Sequence, residues 1–146
     1  MQKKIVFTGG TGRFGEVFKT IKSKNKIFFP KRKQLDIENL RSIKKYLNKI
    51  KPNYLIHAAA LSRPMEIHEK NLTKSININI IGTANIVKAC EEKNIKLIYF
   101  STNYIYPGKK GNYSEKDPVL PYNKYAISKL GGECSVQMYS NSLILR

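Results

Sequence analysis

Tyr125-Ala126-Ile127-Ser128-Lys129 sets a phenol and an ammonium four residues apart. On a helix the two share one face. An unperturbed tyrosine titrates near pH ~10 and is a poor acid or base at neutrality. A cation close by stabilises the phenolate and lowers that value. Such a pair suits proton exchange with a substrate oxygen while hydride moves to or from carbon. Ser101-Thr102 closes an apolar run, and a hydroxyl at a strand end can orient the same oxygen. In a chain with 9 Tyr and 22 Lys the spacing alone is common. Its position after the Ser-Thr strand and a long loop gives it weight.

A second constellation opens the chain. Ile5-Val6-Phe7 runs into Thr8-Gly9-Gly10-Thr11-Gly12-Arg13-Phe14-Gly15. The spacing Gly9-x-x-Gly12-x-x-Gly15 after a strand and before a helix fits a dinucleotide. The first glycine makes the tight turn, the second admits a pyrophosphate and the third allows close helix packing. The helix start then offers free N–H groups to phosphates. After the second strand, an acidic residue would select a ribose 2′-hydroxyl and a basic one a 2′-phosphate. Phe29-Pro30 is followed by Lys31-Arg32-Lys33, with no acid before Asp36. This favours NADPH over NADH, with Arg32 the first expected phosphate contact and Arg13 the second.

The elements that must position these groups alternate. Strands are expected at 5–7, 26–29, 54–57, 96–100 and 143–145. Helices are expected at 16–24, 37–50, 72–92 (Ile76, Ile80 and Val87 inward) and 124–139. Alternation of this kind gives right-handed βαβ units and a parallel, doubly wound α/β sheet in one domain. Residues 1–51 carry 15 basic and 3 acidic side chains, +12, out of a total of +17. The excess is 22 Lys against 5 Arg, beside 18 Ile and 13 Asn. All three abundant types have AT-rich codons, so nucleic acid is not an expected partner. No apolar run reaches the roughly 18 residues of a membrane span, and no signal peptide is evident, so a cytoplasmic protein is expected. Cys90 and Cys134 form no metal cluster and read as small core residues. His57 reads as structural and His68 as solvated. Arg63 follows the alanine turn, where a substrate phosphate or plain solvent could meet it.

In their order along the chain these segments resemble the extended short-chain dehydrogenase/reductase family. Thr8–Gly15 is similar to its cofactor loop. Leu35-Asp36-Ile37 is similar to the segment whose Asp and next residue contact adenine. His57-Ala58-Ala59-Ala60 resembles the turn beside the cofactor. Asn79-Ile80-Ile81-Gly82-Thr83 resembles a helix whose Asn supports the site through hydrogen bonds. Tyr125 and Lys129 match the catalytic pair. Within the family, Ser101–Gly108 is most similar to the dTDP-4-dehydrorhamnose reductase subfamily, and Thr102 matches its catalytic threonine. Glu115, Asp117, Pro121, Gly132 and Glu133 also fall where that subfamily has them.

The resemblance implies a Rossmann domain over residues 1–146. It implies an NAD(P) site made by Gly9, Thr11, Gly12, Arg13, Phe14, Gly15, Arg32, Asp36, Ile37, Ala58, Ala59, Ala60, Asn79, Tyr125 and Lys129. Thr102, Tyr125 and Lys129 would be catalytic, and no metal is implied. The expected reaction is reduction of the 4-keto group of a dTDP-sugar-like nucleotide. A sugar-nucleotide epimerase and a non-catalytic, cofactor-binding regulatory subunit are the alternatives. Asn103 stands where the subfamily has Asp, and Ala126 where Gly is common. Asn103-Tyr104 replaces the Asp-Glu of the dehydratases, which argues against dehydration. Family members run to about twice this length, a further domain's worth of chain. The expectation is therefore a cofactor half without the substrate part. Its exposed sheet edge would favour self-association or a homodimer, and it would turn over little alone.

Overall fold

Short runs such as Ile5-Val6-Phe7 and Tyr54-Leu55-Ile56 are apolar on both faces, as buried parallel strands require. The computed structural model describes all of residues 1–146. It places β1 (Lys4–Thr8), β2 (Lys26–Phe28), β3 (Tyr54–His57), β4 (Lys96–Phe100) and β5 (Ser142–Leu145) in one sheet. The order is β2-β1-β3-β4-β5 and every pairing is parallel. The chain leaves β1 to one side for β2, then returns past it to β3. That reversal opens a crevice at the carboxyl ends of β1 and β3, where ligands bind in open α/β sheets.

Helices α2 (Leu40–Ile50), α5 (Gly82–Glu92) and α6 (Lys124–Gln137) pack side by side on one face. Val6, Leu55 and Leu97 from the sheet meet Ile43 and Leu47 of α2, Ile86 and Cys90 of α5, and Val136 of α6. Tyr139 closes this core, its hydroxyl donating to the carbonyls of Cys90 (3.2 Å) and Ile95 (3.1 Å). Phe7 points to the opposite face, as strand alternation demands. There its ring stacks on Phe18 of α1 (Arg13–Lys19) at 4.8 Å and lies 5.3 Å from Phe29.

All four expected helices have different bounds, α6 only by ending at Gln137 instead of Tyr139. α1 ends at Lys19, capped by Thr20, rather than at Lys24. The polar stretch beyond it has nothing to bury, and Ser23 Oγ accepts the Asn25 amide to form a local turn. α2 begins at Leu40 because Asn39 caps it, accepting the Ser42 amide at 3.1 Å. The expected helix 72–92 is broken into α4 (Leu72–Ser75), a wide π turn (Ile76–Ile81) and α5, while α3 (Ile67–Lys70) precedes it. Its buried face is Ser75, Asn79, Thr83 and Ile86, and the expected Ile76, Ile80 and Val87 are only half-buried. Wide turns of this kind often mark functional sites. Cys90 is buried as expected, but Cys134 is exposed.

Candidate functional site

The glycine run builds one wall of the crevice. Gly9 has φ +82°, and a Cβ there would stand 2.7 Å from the backbone of Ala58 and Ala59. Only glycine meets both demands. A Cβ on Gly15 would stand 2.5 Å from Gly10 Cα, so α1 could not close on the turn. Gly12 donates its amide to Gly9 O at 3.0 Å and otherwise faces open space. The resulting groove encloses about 590 Å³, within the range of small-molecule sites. Thr11, Gly12, Arg13 and Phe14 line one side, Arg32, Asp36 and Ile37 the outer end, and Ala58, Ala59 and Ala60 the far side. Eleven of the fifteen residues expected around a dinucleotide are thus gathered in one groove. Gly15 is buried behind the turn, and Asn79, Tyr125 and Lys129 do not line it.

A buried polar chain supports this groove. Thr83 donates its hydroxyl proton to Asn79 O at 2.8 Å. His57 Nε2, 3.2 Å from Thr83 Oγ1, must then carry the proton, and Nδ1 accepts from Thr8 Oγ1 at 2.7 Å. Thr8 Oγ1 in turn accepts the Ala59 amide at 3.4 Å. Burial, aided by the charge of Lys129, pushes His57 down to about 3. His57 is therefore a neutral strut, consistent with its structural reading. Asn79, 1% exposed, clamps the end of the alanine turn. Its Oδ1 accepts Leu61 N at 2.8 Å, and its Nδ2 donates to Leu61 O and Ser128 Oγ, both at 2.9 Å. With its polar atoms spent this way, Asn79 supports the groove wall instead of contacting what the groove holds. The sequence reading did not find Ser128, which is the link from that wall to α6.

Beyond the groove, Tyr125 stands half-buried on α6 with Tyr104 edge-on at 6.1 Å. Burial raises its phenol above the ordinary tyrosine value, and the neighbouring Thr102 side chain works against that rise. The structure thus brings Thr102 and Tyr125 together. Lys129 differs from expectation. Its Nζ donates to Phe100 O at 2.7 Å and lies 4.1 Å from the Tyr99 ring centre. Burial lowers it to about 7, with Glu133 opposing. Here it is an interior group held by a β4 carbonyl and an aromatic face. His68 is also corrected. It is 1% exposed, its Nδ1 lies 2.7 Å from Ser75 Oγ, and its ring packs 5.2 Å from that of Tyr125. Only the serine seven residues on, across a helix break, could have signalled that burial.

Glu133, fully buried, ties three elements together. It accepts from Arg146 Nη2 (2.7 Å) and Nε (3.1 Å), from Gln137 Nε2 (3.1 Å) and from the Ser101 hydroxyl. Ser101 is thereby fixed beside Thr102. Past Asn103 and Tyr104 lies a larger cavity of about 900 Å³ near the end of β5, walled by Tyr106, Tyr113, Tyr122 and Arg146. It lacks the glycine cradle. No cluster of metal-ligating side chains occurs, and no helix is long and apolar enough to cross a membrane.

A parallel sheet with a glycine turn at its switch point, flanked by a Thr–Tyr site, defines a Rossmann-type α/β protein. The chain belongs to the family described as the RmlD substrate binding domain, whose model matches residues 3–146. It is 31% identical over 143 residues to the methionine adenosyltransferase 2 subunit beta of Danio rerio, covering 90% of this chain and 42% of that one. It is 28% identical over 148 residues to the dTDP-4-dehydrorhamnose reductase of Aggregatibacter actinomycetemcomitans, covering 98% and 50%. Among solved structures, the dTDP-4-dehydrorhamnose reductase of Bacillus anthracis in complex with NADP superposes with a TM-score of 0.91 at 28% identity. That match covers 99% of this chain and 52% of the other. The chain therefore spans about half the length of these relatives.

Proposed function

We propose that the groove binds a nicotinamide dinucleotide and that the protein serves the reduction of a 4-keto sugar nucleotide of the dTDP-sugar type. The observation that carries this reading is the cradle itself. Gly9 and Gly15 are barred from bearing a side chain, while Gly12 faces the open groove. The residues present fit the group. The Gly9–Gly12 backbone would take the pyrophosphate, Asp36 and Ile37 the adenine, and Ala58–Ala60 the wall toward the nicotinamide. NADPH is the favoured form, with Arg32 and Arg13 at its 2′-phosphate end. When bound, the dinucleotide supplies hydride. This chain's part is to orient the substrate oxygen through Thr102 and to give it the Tyr125 proton, which burial holds on the phenol. The sugar nucleotide would approach from the cavity past Asn103 and Tyr104. Lys129 holds Phe100 O with one of its three ammonium protons, which leaves the others for the dinucleotide or the phenol. A soluble small-molecule substrate and a homodimer complete the proposal.

The test is NADPH oxidation with dTDP-4-keto-6-deoxy sugars, comparing Tyr125→Phe with the unsubstituted protein. Turnover lost in the variant with dinucleotide affinity unchanged supports the reading. A second reading, a cofactor-binding regulatory subunit, is favoured by the inward Lys129 and by the resemblance to a subunit named as beta. Binding without turnover of any keto sugar would select it.

A further inference from the structure

The basic turn after β2 does not present a free cation. Arg32 Nη2 is ion-paired with Glu38 Oε2, and Arg32 Nε lies 3.7 Å from Asp36 Oδ1. All three side chains line the outer end of the groove. The Glu38 backbone is held in the turn, its amide donating to Asp36 Oδ1 at 3.1 Å. The Glu38 side chain is only 26% exposed, whereas that of Arg32 is 70% exposed. The carboxylate is thus the more buried partner and the guanidinium the more exposed one. Lys31 and Lys33, also exposed, make no ion pair.

We propose that Glu38 sets the choice between the two dinucleotides by competing with a 2′-phosphate for Arg32. This inference rests on the groove holding a dinucleotide at all. A 2′-phosphate entering this end must draw Arg32 off a carboxylate and then sit beside the like charge left behind. A 2′-hydroxyl meets no such cost and can donate to Asp36 or Glu38. The preference that the Lys-Arg-Lys run suggests is therefore held down, and NADPH binds only a few-fold more tightly than NADH. No acid stands immediately after the strand. The deciding one comes ten residues later and folds back.

The test measures dissociation constants for NADPH and NADH by calorimetry on the unsubstituted protein, Glu38→Gln and Arg32→Ala. Glu38→Gln is expected to tighten NADPH about three- to fivefold while leaving NADH within about 1.5-fold, the scale of one partly exposed ion pair. Arg32→Ala should weaken NADPH and not NADH. Binding of both dinucleotides with a ratio unchanged in Glu38→Gln overturns this assignment and leaves the groove reading intact. Binding of neither to the unsubstituted protein overturns the groove reading, and this assignment with it.

Discussion

Replacing Asn79 by alanine removes the clamp between the groove wall and α6. The side chain makes three hydrogen bonds: Leu61 N at 2.8 Å, and Leu61 O and Ser128 Oγ at 2.9 Å. Each contributes about 1 kcal/mol net. Leu61 is half-buried, so water re-solvates part of what is exposed. Ser128 keeps a bond, donating to Tyr125 O at 2.8 Å. The expected loss is about 2–3 kcal/mol, a large share of a stability of roughly 5–15 kcal/mol. Urea unfolding followed by circular dichroism reads it as a midpoint about 1 M lower, at a slope near 2 kcal/mol/M. Asn79→Asp keeps the acceptor for Leu61 N but turns an oxygen on Leu61 O and Ser128, and should destabilise at least as much. The double variant with Ser128→Ala should show a coupling of about 1 kcal/mol. A loss below about 0.5 kcal/mol for Asn79→Ala would refute the claim that this residue holds the wall.

Two further outcomes follow from burial. His57 is pushed down to about 3 and Lys129 to about 7. In both cases the unfolded chain binds the extra proton, so stability rises with pH. It should fall as pH drops from about 6.5 toward 3 through His57, and climb from about pH 7 toward 10.5 through Lys129. Urea midpoints across this range check both, and Lys129→Met should flatten the upper climb. Cys134 is exposed, whereas burial drives the Cys90 thiol up to about 12. A thiol reagent should therefore titrate one cysteine in the native protein and the second only on unfolding.

The alternation of apolar runs and amphipathic stretches was enough to foresee the parallel sheet, because both signals are local. The glycine turn was legible for the same reason: Gly9, Gly12 and Gly15 are close in sequence and each has one steric demand. What residue types and spacing do not register is which neighbours a side chain finds once the chain has folded. Arg32 looks free until Glu38 folds back on it. Lys129 and Tyr125 share a helix face, yet the amine finds Phe100 O, which lies on β4. His68 sits in a polar run and is buried only because Ser75 and Tyr125 enclose it. The broken helix follows from a polar inner face at Ser75, Asn79 and Thr83 that periodicity of apolar residues does not register.

The central claim is that the glycine groove holds a nicotinamide dinucleotide. Its most direct test is a fluorescence titration of NADPH and NADH against the unsubstituted protein and Gly12→Asp, with circular dichroism confirming that the variant is folded. Gly12 faces the groove with only Gly9 O near a Cβ, at 3.3 Å, so an aspartate there projects into the space meant for phosphate. The account predicts saturable binding of both dinucleotides, weakened at least about tenfold in the folded variant. No saturable binding of either, or equal binding by Gly12→Asp, would contradict it.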